Sequence, residues 1–330
     1  MFARTRRESI VLLGGAAAAW PLAARAQQPT RLIGVLMGVA EEDPEGQARI
    51  AAFRRGLAEL GWDGRNLRVE YRWAAGDMDR IRAYAAELVA LSPAIIIGNG
   101  TPVLTALREA TTSIPIIFVI VNDPVRQGFI SNLPRPGGNI TGFTFLEYSM
   151  VGKSLEMLKE LAPAVSRVAV MFNPETTPLY TSFLRSLETV PIPIAVAVEP
   201  APVHAPADIE AAAANLSANP GGGLLVPPDT FTVVHRELIM SLALKRRLPA
   251  MFSYRQFVKE GALIAYGPDT GDIFRRSASY VDRILKGAHP GDLPAQAPTK
   301  FEMAINLRTA RSLGLEVPPT LLALADEVIE

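Results

Sequence analysis

Cysteine is absent from the 330 residues. That excludes disulfides, thiolate metal sites, a cysteine nucleophile and a lipid anchor on an N-terminal cysteine. Histidine is scarce: His204, His235 and His289 fall on a Pro-rich loop, a helical stretch and a linker. They are too scattered to read as a metal site or a catalytic triad. No G-x-G-x-x-G follows the first strand pattern and no Walker lysine motif occurs, so nucleotide chemistry lacks its fingerprints. Ser131 and Ser149 sit in no G-x-S-x-G elbow. A charge excess is missing as well: 33 basic residues balance 33 acidic ones. Without residues 1–26 the balance is 29 basic to 32 acidic, which argues against nucleic acid or anionic lipid as the main partner. No cofactor and no metal are expected.

The N-terminus reads as an address. Arg4, Arg6 and Arg7 precede the apolar run Ile10–Trp20, and Ala24-Arg25-Ala26 forms a small-residue cleavage site before Gln27. The run has about half of the ~20 apolar residues that a membrane span needs. Residues 1–26 are therefore expected to be an export signal, leaving a periplasmic chain that is not a lipoprotein. Arg6-Arg7 points to the twin-arginine route, but Glu8-Ser9-Ile10 fits that consensus loosely, and the Sec route stays open.

What the chain does have is strand and helix patterns in alternation. Arg31–Met37, Leu67–Trp73, Pro93–Gly98 and Ile114–Val121 read as strands, separated by helices at Gly46–Leu60, Asp77–Leu91 and Thr101–Ala110. Such alternation implies right-handed βαβ units and a parallel sheet. Ile116–Val121 is an unbroken apolar run, as in a strand covered on both faces. It ends at Asn122-Asp123, and Pro124 blocks further pairing. After the turn cluster 134–139 comes a second extended run, Ile140–Phe145, and the alternation begins afresh. Helices are expected at Ser149–Leu161, Pro178–Leu187, Ala205–Ser217 and Val233–Leu244, the last capped by Asp229 or Thr230. Strands are expected at Arg167–Phe172, Ile192–Val198, Gly223–Val226 and Pro249–Ser253.

Ala262–Tyr266 reads as a second crossing, and Asp272–Lys286 as a helix returning to the first lobe. The Pro-rich stretch Gly287–Thr299 reads as a third crossing. A strand at Lys300–Leu307 and helical segments at Thr309–Leu313 and Leu321–Ile329 close the second lobe. The expected fold class is α/β: two Rossmann-like lobes with parallel sheets, joined by a three-crossing hinge. The first lobe takes residues 31–144 with 268–288, the second 145–267 with 300–330, and 289–299 is the linker of the third crossing. Two lobes on such a hinge suit the enclosure of a small ligand.

Ligands of open α/β sheets bind beyond the carboxyl ends of strands, so candidate residues cluster there. Asn99, Gly100 and Thr101 form a loop where glycine permits close approach and a helix N-terminus favours a carboxylate, although Thr101 serves equally as an ordinary cap. Asn122 and Asp123 end the fourth strand; Asp123 suits an ammonium group or caps the following turn. Asn173 ends a strand in the second lobe, as a ligand contact or a turn residue. Tyr254, Tyr266 and Phe143 offer flat faces for stacking, although hinge packing explains Phe143 and Tyr266 as well.

Three stretches carry a family likeness: Asn122-Asp123-Pro124-Val125 with Arg135–Gly142; Tyr266-Gly267-Pro268-Asp269 with Tyr280–Gly287; and Asp292-Leu293-Pro294 with Pro298–Glu302 and Ile305-Asn306-Leu307. Over residues 31–330 the chain resembles the ABC-transporter substrate-binding proteins of the type that includes tryptophan- and tyrosine-binding members. The resemblance implies the periplasmic binding protein type I fold and a ligand-contacting acid near Asp229. It also implies delivery of a small-molecule ligand to an inner-membrane ABC permease with a cytoplasmic ATPase. The expected cargo is a small polar solute, an amino acid (aromatic or branched) or a related compound.

Nothing marks an oligomer seam, so a monomer is expected. One rival is a ligand sensor serving a receptor kinase. A second is an α/β enzyme acting on a small metabolite, which the missing cofactor fingerprint and nucleophile elbow disfavour. A LacI-like repressor would need a helix-turn-helix where this chain has an export signal.

Overall fold

The structure is a computed structural model and describes residues 30–145, 149–187 and 195–330. The expected export segment, residues 1–26, lies outside the described residues. The first half builds β1 (Arg31–Met37), α1 (Pro44–Glu59), β2 (Leu67–Trp73), α2 (Met78–Ala90), β3 (Ile95–Asn99), α3 (Thr101–Ala110), β4 (Ile116–Val121) and β5 (Ile140–Thr144). The strands form one parallel sheet in the order β2-β1-β3-β4-β5. Every residue of β3 and β4 is buried, as the Ile-rich runs require of strands covered on both faces. Asp43 starts α1 by accepting from the Gly46 N–H at 2.7 Å, and Asp77 does the same for α2 through Asp79 and Arg80.

The second half builds α4 (Ser149–Leu161), β6 (Arg167–Phe172), α5 (Leu179–Leu187), β7 (Ala197–Pro202), α6 (Pro206–Ser217), β8 (Gly222–Val226), α7 (Thr230–Val234), α8 (Arg236–Lys245), β9 (Ala250–Phe252), α9 (Arg255–Lys259) and β10 (Ile264–Pro268). After α10 (Thr270–Leu285) follow β11 (Phe301–Asn306), α11 (Leu307–Leu313), α12 (Pro319–Leu324) and β12 (Glu327–Ile329). The second sheet runs β12-β11-β10-β9-β8-β6-β7. It is parallel except where β11 lies antiparallel to β10. The chain re-enters this sheet after its excursion through α10, so no crossover helix forces β11 into the common direction.

Three elements differ from the sequence reading. The strand expected at Ile192–Val198 is described as β7 at Ala197–Pro202, with residues 192–194 outside the described residues. It carries Pro200 and Pro202, which only an edge strand tolerates, and an edge strand leaves no apolar run to read. The helix expected at Val233–Leu244 is two pieces, α7 and α8, meeting at His235. The helical segment expected at Leu321–Ile329 stops at Leu324, and Glu327–Ile329 pairs with Ala304–Asn306 of β11 instead. The β-branched Val328 and Ile329 favour that pairing.

The helix α10 packs along α1, on the first sheet's side of the molecule. Gly56 is the contact: a Cβ there would stand 2.4 Å from the Arg275 carbonyl and 2.9 Å from the Ala278 Cβ. The stretch after α10 then runs beside β5. Gln296 donates its N–H to Gly142 O at 2.9 Å, Thr144 donates to Gln296 O at 2.9 Å, and Thr141 Oγ1 donates to Leu293 O at 2.6 Å. Gly142 is required at that spot, because a Cβ would fall 2.0 Å from Phe118 O. The segment after α10 therefore lies against β5, with Gln296 bridging Phe143. No helix among the described residues is long and apolar enough to cross a membrane.

Candidate ligand-binding site

The carboxyl ends of both sheets face a shared cavity of about 30 Å3, room for roughly one or two waters with the lobes as they stand. Asn99, Gly100, Thr101 and Asn122 line it from the first half, and Asp229 and Tyr254 from the second. These six are residues that the sequence singles out. The halves touch around the cavity: Asn122 Nδ2 donates to Pro228 O at 3.1 Å, and Arg236 Nη1 pairs with Asp43 at 2.7 Å.

Local backbone geometry aims these groups. At the end of β4 the register shifts between Val119 and Val121, and Ile120 sits at φ +57°. A β-branched residue in the left-handed region is uncommon and strained, a feature that clusters at ligand sites. The following residue pair then divides. Asn122 is buried on the cavity wall, and its Oδ1 has no hydrogen-bond partner. Gly100, at φ +93°, precedes α3 without any capping side chain, so the N–H groups of the first turn remain available to an acceptor.

Asp229 is 3% exposed and fully engaged. It accepts from the Asn173 N–H at 2.6 Å, from the Phe231 N–H at 3.0 Å, where it caps α7, and from the Thr176 hydroxyl. Burial pushes its carboxyl up to about 6, and those three donors pull against the shift. Burial likewise pushes the Tyr254 phenol up to about 12, and the Arg49 charge opposes it.

Four singled-out residues do not line the cavity. Asp123, at φ +39°, accepts from Arg126 N–H at 3.0 Å and shapes its own turn. Asn173 also builds a turn: its Oδ1 takes the Glu175 N–H at 2.7 Å. Phe143 packs on Tyr280, with ring centroids 4.9 Å apart, and Tyr266 stacks on Phe301 at 6.0 Å. Both rings are taken up by packing against their neighbours. Tyr254 is on the wall, but its ring lies among Phe145 at 5.2 Å, Phe257 at 5.1 Å and the Arg49 guanidinium at 5.1 Å. It serves as packed wall rather than as an open stacking face.

Sequence reasoning missed Arg49, Thr176 and Thr177, all on the cavity wall. For Arg49 a signal existed. It lies four residues before Phe53 on the face of α1 that carries the core residues, paired at i,i+4 with Glu45. A charged pair on a core-facing stripe is costly unless something uses it. The threonines sit on an irregular loop, with no periodicity to reveal which way they point.

Arg49 and Tyr254 also line a wider groove, of about 620 Å3, on the flank of α10. Several of its cations already have partners: Lys300 pairs with Asp269 and Glu302, Arg275 with Asp272, and Arg255 with Glu302. The smaller cavity takes polar groups from strand ends of both halves, the unmet Asn122 Oδ1 among them, and is the candidate ligand site.

The two-lobed α/β fold, with a cavity between the lobes, is that of the type I periplasmic binding proteins. Residues 33–329 match the model of the ABC transporter substrate binding protein family, and the chain belongs to that family. A tyrosine-binding protein of Clostridioides difficile is 27% identical over 266 residues, covering 80% of this chain and 76% of that protein. A conserved domain protein of Vibrio cholerae superposes with a TM-score of 0.83 at 28% identity, over 91% of this chain and 99% of that one. A Streptococcus pneumoniae domain in complex with L-Trp gives 0.82 at 24% identity, over 91% and 100%. The family is one of substrate-binding proteins that work with ABC transporters.

Proposed function

We propose that this chain is the periplasmic solute-binding subunit of an ABC importer. It closes its two lobes, 31–144 with 268–288 and 145–267 with 300–330, over one small polar solute, an amino acid or a related compound. It then hands that solute, as a monomer, to an inner-membrane permease driven by a cytoplasmic ATPase. The observation that carries the reading is the interlobe cavity, whose wall takes polar groups from both halves. A solute touching both halves stabilises their contact, so binding and presentation of the closed surface share one equilibrium. The tyrosine-binding relative and the tryptophan complex support an amino acid as the class. Residues 1–26 would direct export, by the twin-arginine or the Sec route.

A thermal-shift screen against amino acids, purines, small organic acids and sugars tests this. A solute at ~100 times its dissociation constant adds about 2.7 kcal/mol to the folded state, which appears as a raised melting temperature. A shift confined to one class of solute is expected. No shift with any compound, and no small molecule released when the purified protein is denatured, would sink the reading.

A further inference from the structure

We propose that Arg49 is the specificity residue of the cavity and that it selects solutes bearing a free carboxylate; this rests on the solute-binding reading above. The Arg49 side chain is 3% exposed. Its Nε donates to Glu45 Oε1 at 3.1 Å, and its guanidinium lies over the Tyr254 ring. Its Nη2 has no hydrogen-bond partner. A guanidinium offers five N–H donors and no acceptor, and a buried charged donor left unmet is costly.

The surroundings hold Arg49 for an incoming acceptor. Glu45 fixes one edge of the guanidinium, and Glu45 is itself held by the Thr270 hydroxyl from α10. Tyr254 supports the flat face. The remaining edge belongs to a residue on the cavity wall, and that wall also includes the uncapped start of α3. Helix N-termini and guanidinium forks both favour carboxylates, the fork through paired hydrogen bonds. The second unmet group on the wall, Asn122 Oδ1, is an acceptor and needs a donor. A carboxylate for Arg49 and an ammonium for Asn122 describe a zwitterion. A sugar or a nucleoside base would leave the guanidinium without its counter-charge.

The test uses protein purified from the periplasm of an expression host, stripped of retained solute in denaturant and refolded. Calorimetric titrations compare L-amino acids with their amides, the matching amines lacking the carboxylate, and D-arabinose and inosine as neutral solutes. The wild-type protein should bind an acid at least tenfold more tightly than its amide. Arg49→Gln should weaken the acid by roughly ten- to a hundredfold and the amide much less, so that the preference collapses. Arg49→Lys should keep part of it. Loss of packing alone would weaken acid and amide together, so the ratio separates the roles even if Arg49→Gln is less stable. An unchanged acid-to-amide ratio in Arg49→Gln overturns the inference and leaves solute binding intact. Binding of the neutral solutes alone does the same. No binding of any probe by refolded wild-type protein with native circular dichroism overturns both.

Discussion

Arg49 and Arg236 are two buried arginines on the two sides of one cleft, and their neighbours use them to different degrees. Each lies over an aromatic ring, Tyr254 at 5.1 Å and Phe257 at 5.3 Å. Arg236 reaches Asp43 across the cleft at 2.7 Å, Glu260 at 2.7 Å and the Val233 carbonyl at 3.1 Å. Burial works against its charge, but the two carboxylates outweigh burial and raise its pKa. Arg49 has Glu45 and an unmet Nη2. The protein's own acids complete the first arginine, which therefore serves the contact between lobes. They leave the second incomplete, and an incomplete buried donor is a feature of recognition rather than of folding.

The largest effect that would break this contrast belongs to Arg236→Ala. Removing one partner of a buried ion pair costs about 3–5 kcal/mol while the surviving charge stays buried. Asp43 can escape that cost only if the lobes part and water reaches it. The variant should therefore show a larger radius of gyration by small-angle scattering, together with weaker solute binding. An unchanged scattering profile and urea midpoint would remove Arg236 from the closing contact.

Asp229→Ala comes next. It leaves the Asn173 and Phe231 N–H groups without their acceptor and the Thr176 hydroxyl with the Asn173 carbonyl at 3.3 Å alone. Lost capping and buried unmet donors together should cost about 3 kcal/mol in a urea titration. A cost near zero would place Asp229 with Arg49, as a group kept for the solute. A large cost places it with Arg236.

That ambiguity shows how far the sequence could be read. The strands from Arg31 to Phe172 and the helices from Asp77 to Leu161 follow from apolar period and caps, which are local signals. Asn122 and Asn173 look alike in sequence, each an Asn at a strand end with a proline close behind. Only the structure separates them, because the bulge at Ile120 turns one toward the cavity and the Glu175 N–H occupies the other. For Phe143 and Tyr266 the sequence left a stacking face and hinge packing equally open, and the choice waits on partners, Tyr280 and Phe301, that tertiary contact sets. Arg49 showed as a charge on a core stripe, yet what it faces depends on α10 and α9 arriving from distant sequence.

A pH series sharpens the same division. Burial raises the Asp229 carboxyl from an ordinary 3.8 to about 6, so between those values the folded chain binds more protons than the unfolded one. This group's contribution to stability therefore falls as pH rises through that window and is flat above it. Binding runs the other way. If a solute ammonium faces the Asp229 charge, affinity should drop by up to about tenfold between pH 7 and pH 5, as that charge is lost. The Tyr254 phenol, pushed up to about 12, stays neutral across the range. Affinity that does not change with pH would show that the solute avoids Asp229 and rests on Asn122 alone.

The smallest expected effect is the most telling. In the solute-free protein, Arg49→Gln should cost about 1 kcal/mol, far less than Arg236→Ala. Truncation sacrifices the bond to Glu45 and the packing on Tyr254, both worth something. It also removes an unmet buried N–H, whose desolvation the folded chain otherwise bears without return. These terms oppose each other, and Glu45 keeps its bond from Thr270. Chemical denaturation of both variants, stripped of solute, measures the difference. If Arg49→Gln proves as damaging as Arg236→Ala, the two arginines do the same job and Arg49 is a structural strut. If it is nearly silent without solute yet severe with it, the cavity keeps a charge that only its cargo can complete.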